Sequence, residues 1–340
     1  MSSEMQPRHS QWLTSSCVLV ACACLIILTG CRLNDSQILS TDSSGEFADQ
    51  ATVKSAGPTH QFSEHSMTLI PAGSFEMGSA VATVPLQYRQ AEMPPHTVSI
   101  QQPFWMCQTE TTVGQFRRFV EDTGYVTEAE QNAAGSNRLD LNTGKVVLDP
   151  DTNWREPGFP QTEEHPVVCV SHADALAYCD WLSRKHGKRF RLPTEEEWEF
   201  ACRGGTQTVF STGNRPETLQ KYANTNDHSL RQSFARASGT APWDDGHAFT
   251  APVASFGRNE FGMFDMHGNV GEWCNDWFAE DAYSNPMAQS HGPRKWRVVR
   301  GGSWYNTALS CRSSGRHDGI ETATSQTNGF RIVMDDSSPE

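Results

Sequence analysis

Residues 297–316 read R-V-V-R-G-G-S-W-Y-N-T-A-L-S-C-R-S-S-G-R, and this stretch constrains the fold more than any other. Val298 and Val299 are β-branched and predict a short buried strand. Gly301 and Gly302 follow at once, and paired glycines allow a turn or a backbone approach that a Cβ would block. A strand that stops at two glycines and resumes with Ser303 and Trp304 sets a polar and an aromatic side chain on one turn. The decisive site is expected there.

The amino terminus predicts export. Residues 18–28 are apolar but too short for a stable membrane-spanning helix, with Arg8 and His9 upstream. They end in Leu28-Thr29-Gly30-Cys31, which resembles a bacterial lipoprotein box; Cys31 would then carry the lipid and become the first mature residue. Arg32 offers no retention signal of the Asp type, so the expected destination is the outer membrane. Residues 1–30 are assigned to the signal and 31–65, polar and without apolar period, to a flexible tether. Residues 66–336 hold enough Trp, Phe and aliphatic side chains for one large core. The formal charge of -13 argues against a nucleic-acid partner.

Within that domain Thr97 to Ile100 and Phe104 to Cys107 predict short strands. Thr112 with Gln115 forms a capping-box pattern ahead of the apolar stripe Phe116, Phe119 and Val120. A second helix is predicted over 173–185, with Leu176, Cys179 and Leu182 on one face. Thr194 with Glu197 caps a third, which sets Trp198 and Cys202 on one side. Residues 131–152 read as an irregular polar excursion, and helix signals are sparse after Gly204. The expectation is α+β with much irregular backbone.

Common catalytic patterns are missing. There is no H-E-x-x-H, no G-x-S-x-G and no phosphate loop, and Ser303 has no base beside it in sequence. Six cysteines fall in the domain (Cys107, Cys169, Cys179, Cys202, Cys274 and Cys311), none in a C-x-x-C pair. In an exported chain an even number suggests disulfides. His165, before a proline and two valines, reads as a structural loop residue.

Four blocks then stand in one order: R-L-P-T-E-E-E-W-E-F-A-C-R-G-G at 191–205, G-N-V-G-E-W at 268–273, the Gly-Gly-Ser-Trp turn, and N-G-F-R at 328–331. Together they resemble the formylglycine-generating enzyme, or sulfatase-modifying factor, family over residues 67–334. The blocks at 123–130, 153–155 and 165–168 agree, and M-T-L-I-P-A-G-S-F-E-M-G at 67–78 resembles the family's opening hairpin. The resemblance implies the family's variant of the C-type-lectin-like fold.

It also implies chemistry. The family's enzymes oxidise a cysteine in a Cys-x-Pro-x-Arg segment of a sulfatase, using oxygen and copper(I) held by two thiolates, and soft sulfur suits that ion. The first of these positions here is Asn306, an amide. Cys311 lies eight residues after Ser303, where the second would fall, but on the register counted back from Gly-Phe-Arg it matches a structural cysteine whose partner matches Cys202. The resemblance so implies a Cys202–Cys311 disulfide and leaves Ser303, Asn306 and Cys311 as the only catalytic candidates.

Calcium is the second implied metal. One family site maps to Asp265, Gly268, Val270 and Glu272, a second to Asn224, Thr225, Asp245 and His247; oxygen donors of this kind suit a hard cation. His247 stands where only a carbonyl is needed. The alternative is a turn whose carboxylates cap or pair with arginine. Two functions stay open: an oxidase that modifies sulfatases, and a binding or assembly module that keeps the fold and captures a protein or peptide partner at the cell envelope.

Overall fold

The computed structural model describes residues 57–335, apart from 81–85, 132–134, 286 and 289–293. The expected export segment, Cys31 and the first part of the expected tether lie outside the described residues. Strands β1 (Thr59–Phe62), β2 (His65–Ile70), β5 (Phe104–Cys107), β8 (Phe190–Arg191) and β13 (Val333–Asp335) form one antiparallel sheet in the order β1-β2-β5-β13-β8. A second sheet runs β11 (Arg316–Ile320), β10 (Trp296–Arg300), β9 (Gly271–Trp277), β12 (Asn328–Gly329), with β12 parallel to β9. Two hairpins stand apart, β3 (Gly73–Met77) with β4 (His96–Ile100) and β6 (Ser136–Asp140) with β7 (Lys145–Asp149). The helices are α1 (Arg89–Glu92), α2 (Val113–Thr123), α3 (Glu128–Gln131), α4 (His172–His186), α5 (Glu195–Arg203) and α6 (His228–Ser233). This is the expected α+β architecture.

The longer helices begin where side chains satisfy the orphan amides of the first turn. Thr112 accepts from the Gln115 amide and Gln115 returns the bond to Thr112, closing the box ahead of α2. Thr194 and Glu197 do the same for α5, and Ser171 with Asp174 for α4. Each of the three stops at a left-handed glycine: Gly124, Gly187 and Gly204. The buried faces of α2 and α4 pack Phe116, Phe119, Tyr178 and Leu182 with Trp154, Trp273 and Phe330. Trp198, Phe200 and Cys202 of α5 pack with Phe75, Val98, Met106 and Val298 in a second core. The Trp198 and Cys202 pairing expected from helical spacing is thus present.

Three expectations are corrected. The ordered fold begins before residue 66, because β1 pairs with β2 and Phe62 packs on Phe190 at 5.3 Å. A single apolar residue in a polar run carries no periodic signal. Residues 67–78 are not a hairpin: Pro71 and Ala72 turn the chain from β2 in one sheet into β3, which pairs with β4. Residues 131–152 are not irregular throughout, since β6 and β7 pair in register across them. Asp140 organises their turn, accepting from the Asn142 amide at 2.9 Å and the Thr143 hydroxyl at 2.7 Å.

Candidate functional site

Strand β10 ends at Arg300 and leads into the Gly-Gly-Ser turn. Gly302 has φ 69°, and a Cβ there would lie 2.6 Å from the Cys311 sulfur, so only glycine fits. The Gly301 carbonyl accepts from the Gly268 amide at 2.9 Å, which docks the turn on loop 265–270. Ser303 is buried, and its Oγ donates to Asn306 Oδ1 at 2.7 Å; the Asn306 carbonyl accepts from the Asn226 amide at 2.9 Å. Among the described residues no base reaches Ser303 Oγ, which bonds Asn306 and the Tyr305 amide and so holds the loop. Beside it Phe159 and Phe249 stack at 4.8 Å, and the Trp304 ring meets both edge-on at 5.7 and 5.2 Å. Tyr305, half-buried, extends this aromatic wall.

The expected Cys202–Cys311 disulfide is not formed, and all six described cysteines are free and buried. The Cys202 sulfur lies 3.7 Å from the Met266 carbonyl and 3.9 Å from His267 Nε2. His267 sits beside Cys202, its Nδ1 donating to the Cys311 carbonyl at 2.8 Å and its Nε2 accepting from the Ser211 amide at 3.1 Å. Each sulfur therefore has its own packing. Burial pushes the thiols of Cys202 and Cys311 up to about 12. With Asn306 at the other position, the donor set does not fit a two-thiolate copper(I) centre.

Oxygen donors gather at loop 265–270. Asp265 and Asn269 have φ of 58° and 57° without being glycine, and a Cβ on Gly268 would sit 2.0 Å from the Asn224 carbonyl. Asp265 Oδ2 accepts from the Ala254 amide at 2.7 Å, while its buried Oδ1 has no partner among the described residues. Facing it is Glu110, absent from the sequence-based candidates. Glu110 Oε1 accepts from Asn269 Nδ2 at 3.0 Å and its buried Oε2 is likewise unpartnered. Burial, then the charge of Asp265, pushes the Glu110 carboxyl well above the usual range, and burial raises Asp265 to about 6. Unmatched acid oxygens facing one another fit a hard cation.

Glu272 behaves differently. Arg331 Nε and Nη2 donate to its two oxygens at 2.6 and 2.7 Å, and Trp198 Nε1 adds a bond at 2.7 Å. The parallel pairing of β12 with β9 sets this ion pair, since Gly329 lies opposite Glu272. Glu272 thus pairs with arginine, and Asp265 caps a backbone amide through one oxygen and leaves the other unpartnered among the described residues.

At the second mapped position, Asn224 Nδ2 donates to the Phe249 carbonyl at 2.7 Å and its buried Oδ1 is unpartnered. Asp245 accepts from the Thr225 and His247 amides at 3.3 and 2.8 Å, and burial raises it to about 7, with Asp227 adding to the shift. The His247 ring meets Phe256 edge-on at 6.0 Å. The two loops are joined: the Asn269 amide donates to the Asn224 carbonyl at 2.8 Å, and Asn224 Nδ2 reaches Asn269 Oδ1 at 3.2 Å. His165 is a loop residue, its Nδ1 accepting from the Thr162 amide at 3.0 Å.

Around this region arginines are buried in pairs: Arg300 and Arg203 on Glu199, Arg312 on Glu92, Arg316 on Glu195. Arg312 ties the segment after Ser303 to α1 and Arg316 ties it to α5, while Arg300 joins β10 to α5. Apart from Arg203 and Glu199, four residues apart on α5, the partners lie far apart in sequence, which hid them; for Glu110 the signal was a lone acid between an apolar strand and a helix cap.

The Sulfatase-modifying factor enzyme 1-like domain matches residues 52–336. The chain is 34% identical over 299 residues to the formylglycine-generating enzyme of Mus musculus, covering 79% of this chain and 75% of that one. It is 33% identical to the Streptomyces coelicolor enzyme of the same name, covering 78% and 88%. Among solved structures it is similar to PvdO from Pseudomonas aeruginosa, with a TM-score of 0.66 and 27% identity over 83% of this chain and 99% of that one. Match, identity and shared architecture agree: the chain belongs to the sulfatase-modifying factor, or formylglycine-generating enzyme, family.

Proposed function

We propose that this chain is a lipid-anchored binding or assembly module of the cell envelope, built on the formylglycine-generating-enzyme-like domain without its copper chemistry. The observation that carries this is Asn306 held by Ser303 where a copper thiolate is needed, with Cys311 a lone buried thiol beneath Gly302. The aromatic wall of Phe159, Phe249, Trp304 and Tyr305 beside that turn supports capture of a protein or peptide segment. Cys31 is the proposed lipid site, and the outer membrane the proposed location.

Calcium is the proposed structural ion. Asp265 and Glu110 would hold it at one loop with the carbonyls of Gly268 and Val270. Asn224 and Asp245 would hold it at the other with the carbonyls of Thr225 and His247. It would supply charge balance to buried oxygens.

The second reading, an oxidase acting on a sulfatase cysteine, draws on the identity to the mouse enzyme. Anaerobic copper(I) titration followed by incubation with a Cys-x-Pro-x-Arg peptide in air separates the two. The module reading expects no stoichiometric copper and an unchanged peptide mass. Conversion of the peptide thiol to an aldehyde sinks it.

A further inference from the structure

Strand β7 has an open edge, and the bonding of β6 shows which groups lie on it. On β6, the Asn137 amide donates to the Thr324 carbonyl at 3.0 Å, and the Asn137 carbonyl accepts from the Gln326 amide at 3.1 Å. The Leu139 amide donates to Gln326 Oε1 at 2.8 Å. Asn137 and Leu139 therefore face away from β7, and Ser136, Arg138 and Asp140 face it. Their register partners are Asp149, Val147 and Lys145. Backbone polarity alternates along a strand, so the amides and carbonyls of Val146 and Leu148 point outward. They meet no partner among the described residues.

The side chains on this edge are apolar where an edge is ordinarily protected. Val146 is 58% exposed and Leu148 61%. The edge strand β1, by contrast, exposes Thr59, His60 and Gln61. The segment K-V-V-L-D is also complementary to itself when reversed. Laid antiparallel on a second copy about Val147, it sets Val146 opposite Leu148, Val147 opposite itself and Lys145 opposite Asp149. The outward groups of Val146 and Leu148 fall in register for reciprocal N–H to C=O bonds. Lys145 is exposed and free to reach Asp149 of the second copy, which already accepts from Arg138 and from the Asp151 amide. Cross-strand pairs of opposite charge stabilise such a register, and a four-residue shift either way would set Lys145 or Asp149 opposite its own copy.

We propose that β7 is a self-association edge, through which two copies of this chain pair antiparallel and symmetrically about Val147. The contact is isologous, so it closes at a dimer. One five-residue strand per copy places it among weak, concentration-dependent interfaces.

The test uses the full chain with single cysteines on β7, oxidised with copper phenanthroline and compared with the unsubstituted chain on a non-reducing gel. Val147→Cys should give a dimer band, because a non-hydrogen-bonded antiparallel pair brings its own copy to about 4.5 Å between Cα atoms, within disulfide reach. Lys145→Cys should not, since its own copy lies at the far end of the pair. Sedimentation velocity of the unsubstituted chain over a roughly hundredfold concentration range should show a monomer–dimer equilibrium. Val146→Lys should weaken that equilibrium about tenfold or more. Equal cross-linking at positions 145 and 147, no band at 147 above the unsubstituted chain, or a monomer at every concentration overturns the proposal. An edge that takes another protein's strand gives the last of these results.

Discussion

Arg331 is fully buried, and its direct ion-pair partner is Glu272, which lies 59 positions earlier. Arg331→Met should cost about 3–5 kcal/mol, because it leaves the Glu272 carboxylate buried and uncompensated. Adding Glu272→Gln to the same chain should recover part of that loss, read from urea midpoints of the single and double variants. His65 gives the pH-dependent counterpart. It is buried 3.1 Å from the Tyr178 hydroxyl, and burial, helped by His186, lowers it from 6.5 to about 4. Between those values the unfolded chain takes up a proton that the folded chain refuses. The His65 contribution is therefore whole above pH 6.5 and is lost as pH falls towards 4, by at most about 3 kcal/mol. Urea midpoints at pH 7 and pH 4.5 should show a smaller acid loss for His65→Gln than for the unsubstituted chain. At this scale the motif N-G-F-R was legible in the sequence, but the partner of its arginine was not, because ion-pair geometry is set by the β9–β12 pairing and not by spacing along the chain.

Elements were legible where local chemistry dictates them. The caps at Thr112 and Thr194 and the stripes behind them specify α2 and α5 without tertiary help, and β5 spans the predicted residues. The equivalent box at Ser171 is wholly buried, so Ser171→Ala should destabilise the fold by about 1–2 kcal/mol, measurable by thermal or urea unfolding. What escaped were elements formed by tertiary contacts. On β6 and β7, Leu139 is the one buried apolar side chain, and β6 is held by bonds to residues 324–326. The corner at Pro71 looked like a hairpin because the choice between folding back and switching sheets depends on β5 and β4, both distant in sequence.

For the whole molecule, the four ordered blocks revealed family and architecture, while the unmatched oxygens of Glu110, Asp265 and Asn224 emerged only once three separate loops were brought together. If calcium fills these loops, its removal should be felt by the entire fold. Scanning calorimetry should find Tm higher in calcium than in chelator, with a ligand at a hundred times its Kd contributing about 2.7 kcal/mol. Glu110→Gln should reduce that difference, and no calcium dependence in the unsubstituted chain would rule out the assignment. The sheet order carries one more consequence. Strand β13 comes after every other strand in the chain, yet it sits between β5 and β8. Among the described strands a ribosome therefore makes one interior strand of this sheet last, and β5 waits with an open edge until residue 335 has emerged. This sheet cannot close before synthesis reaches β13, and until then the nascent chain carries an exposed apolar strand edge that a chaperone would meet.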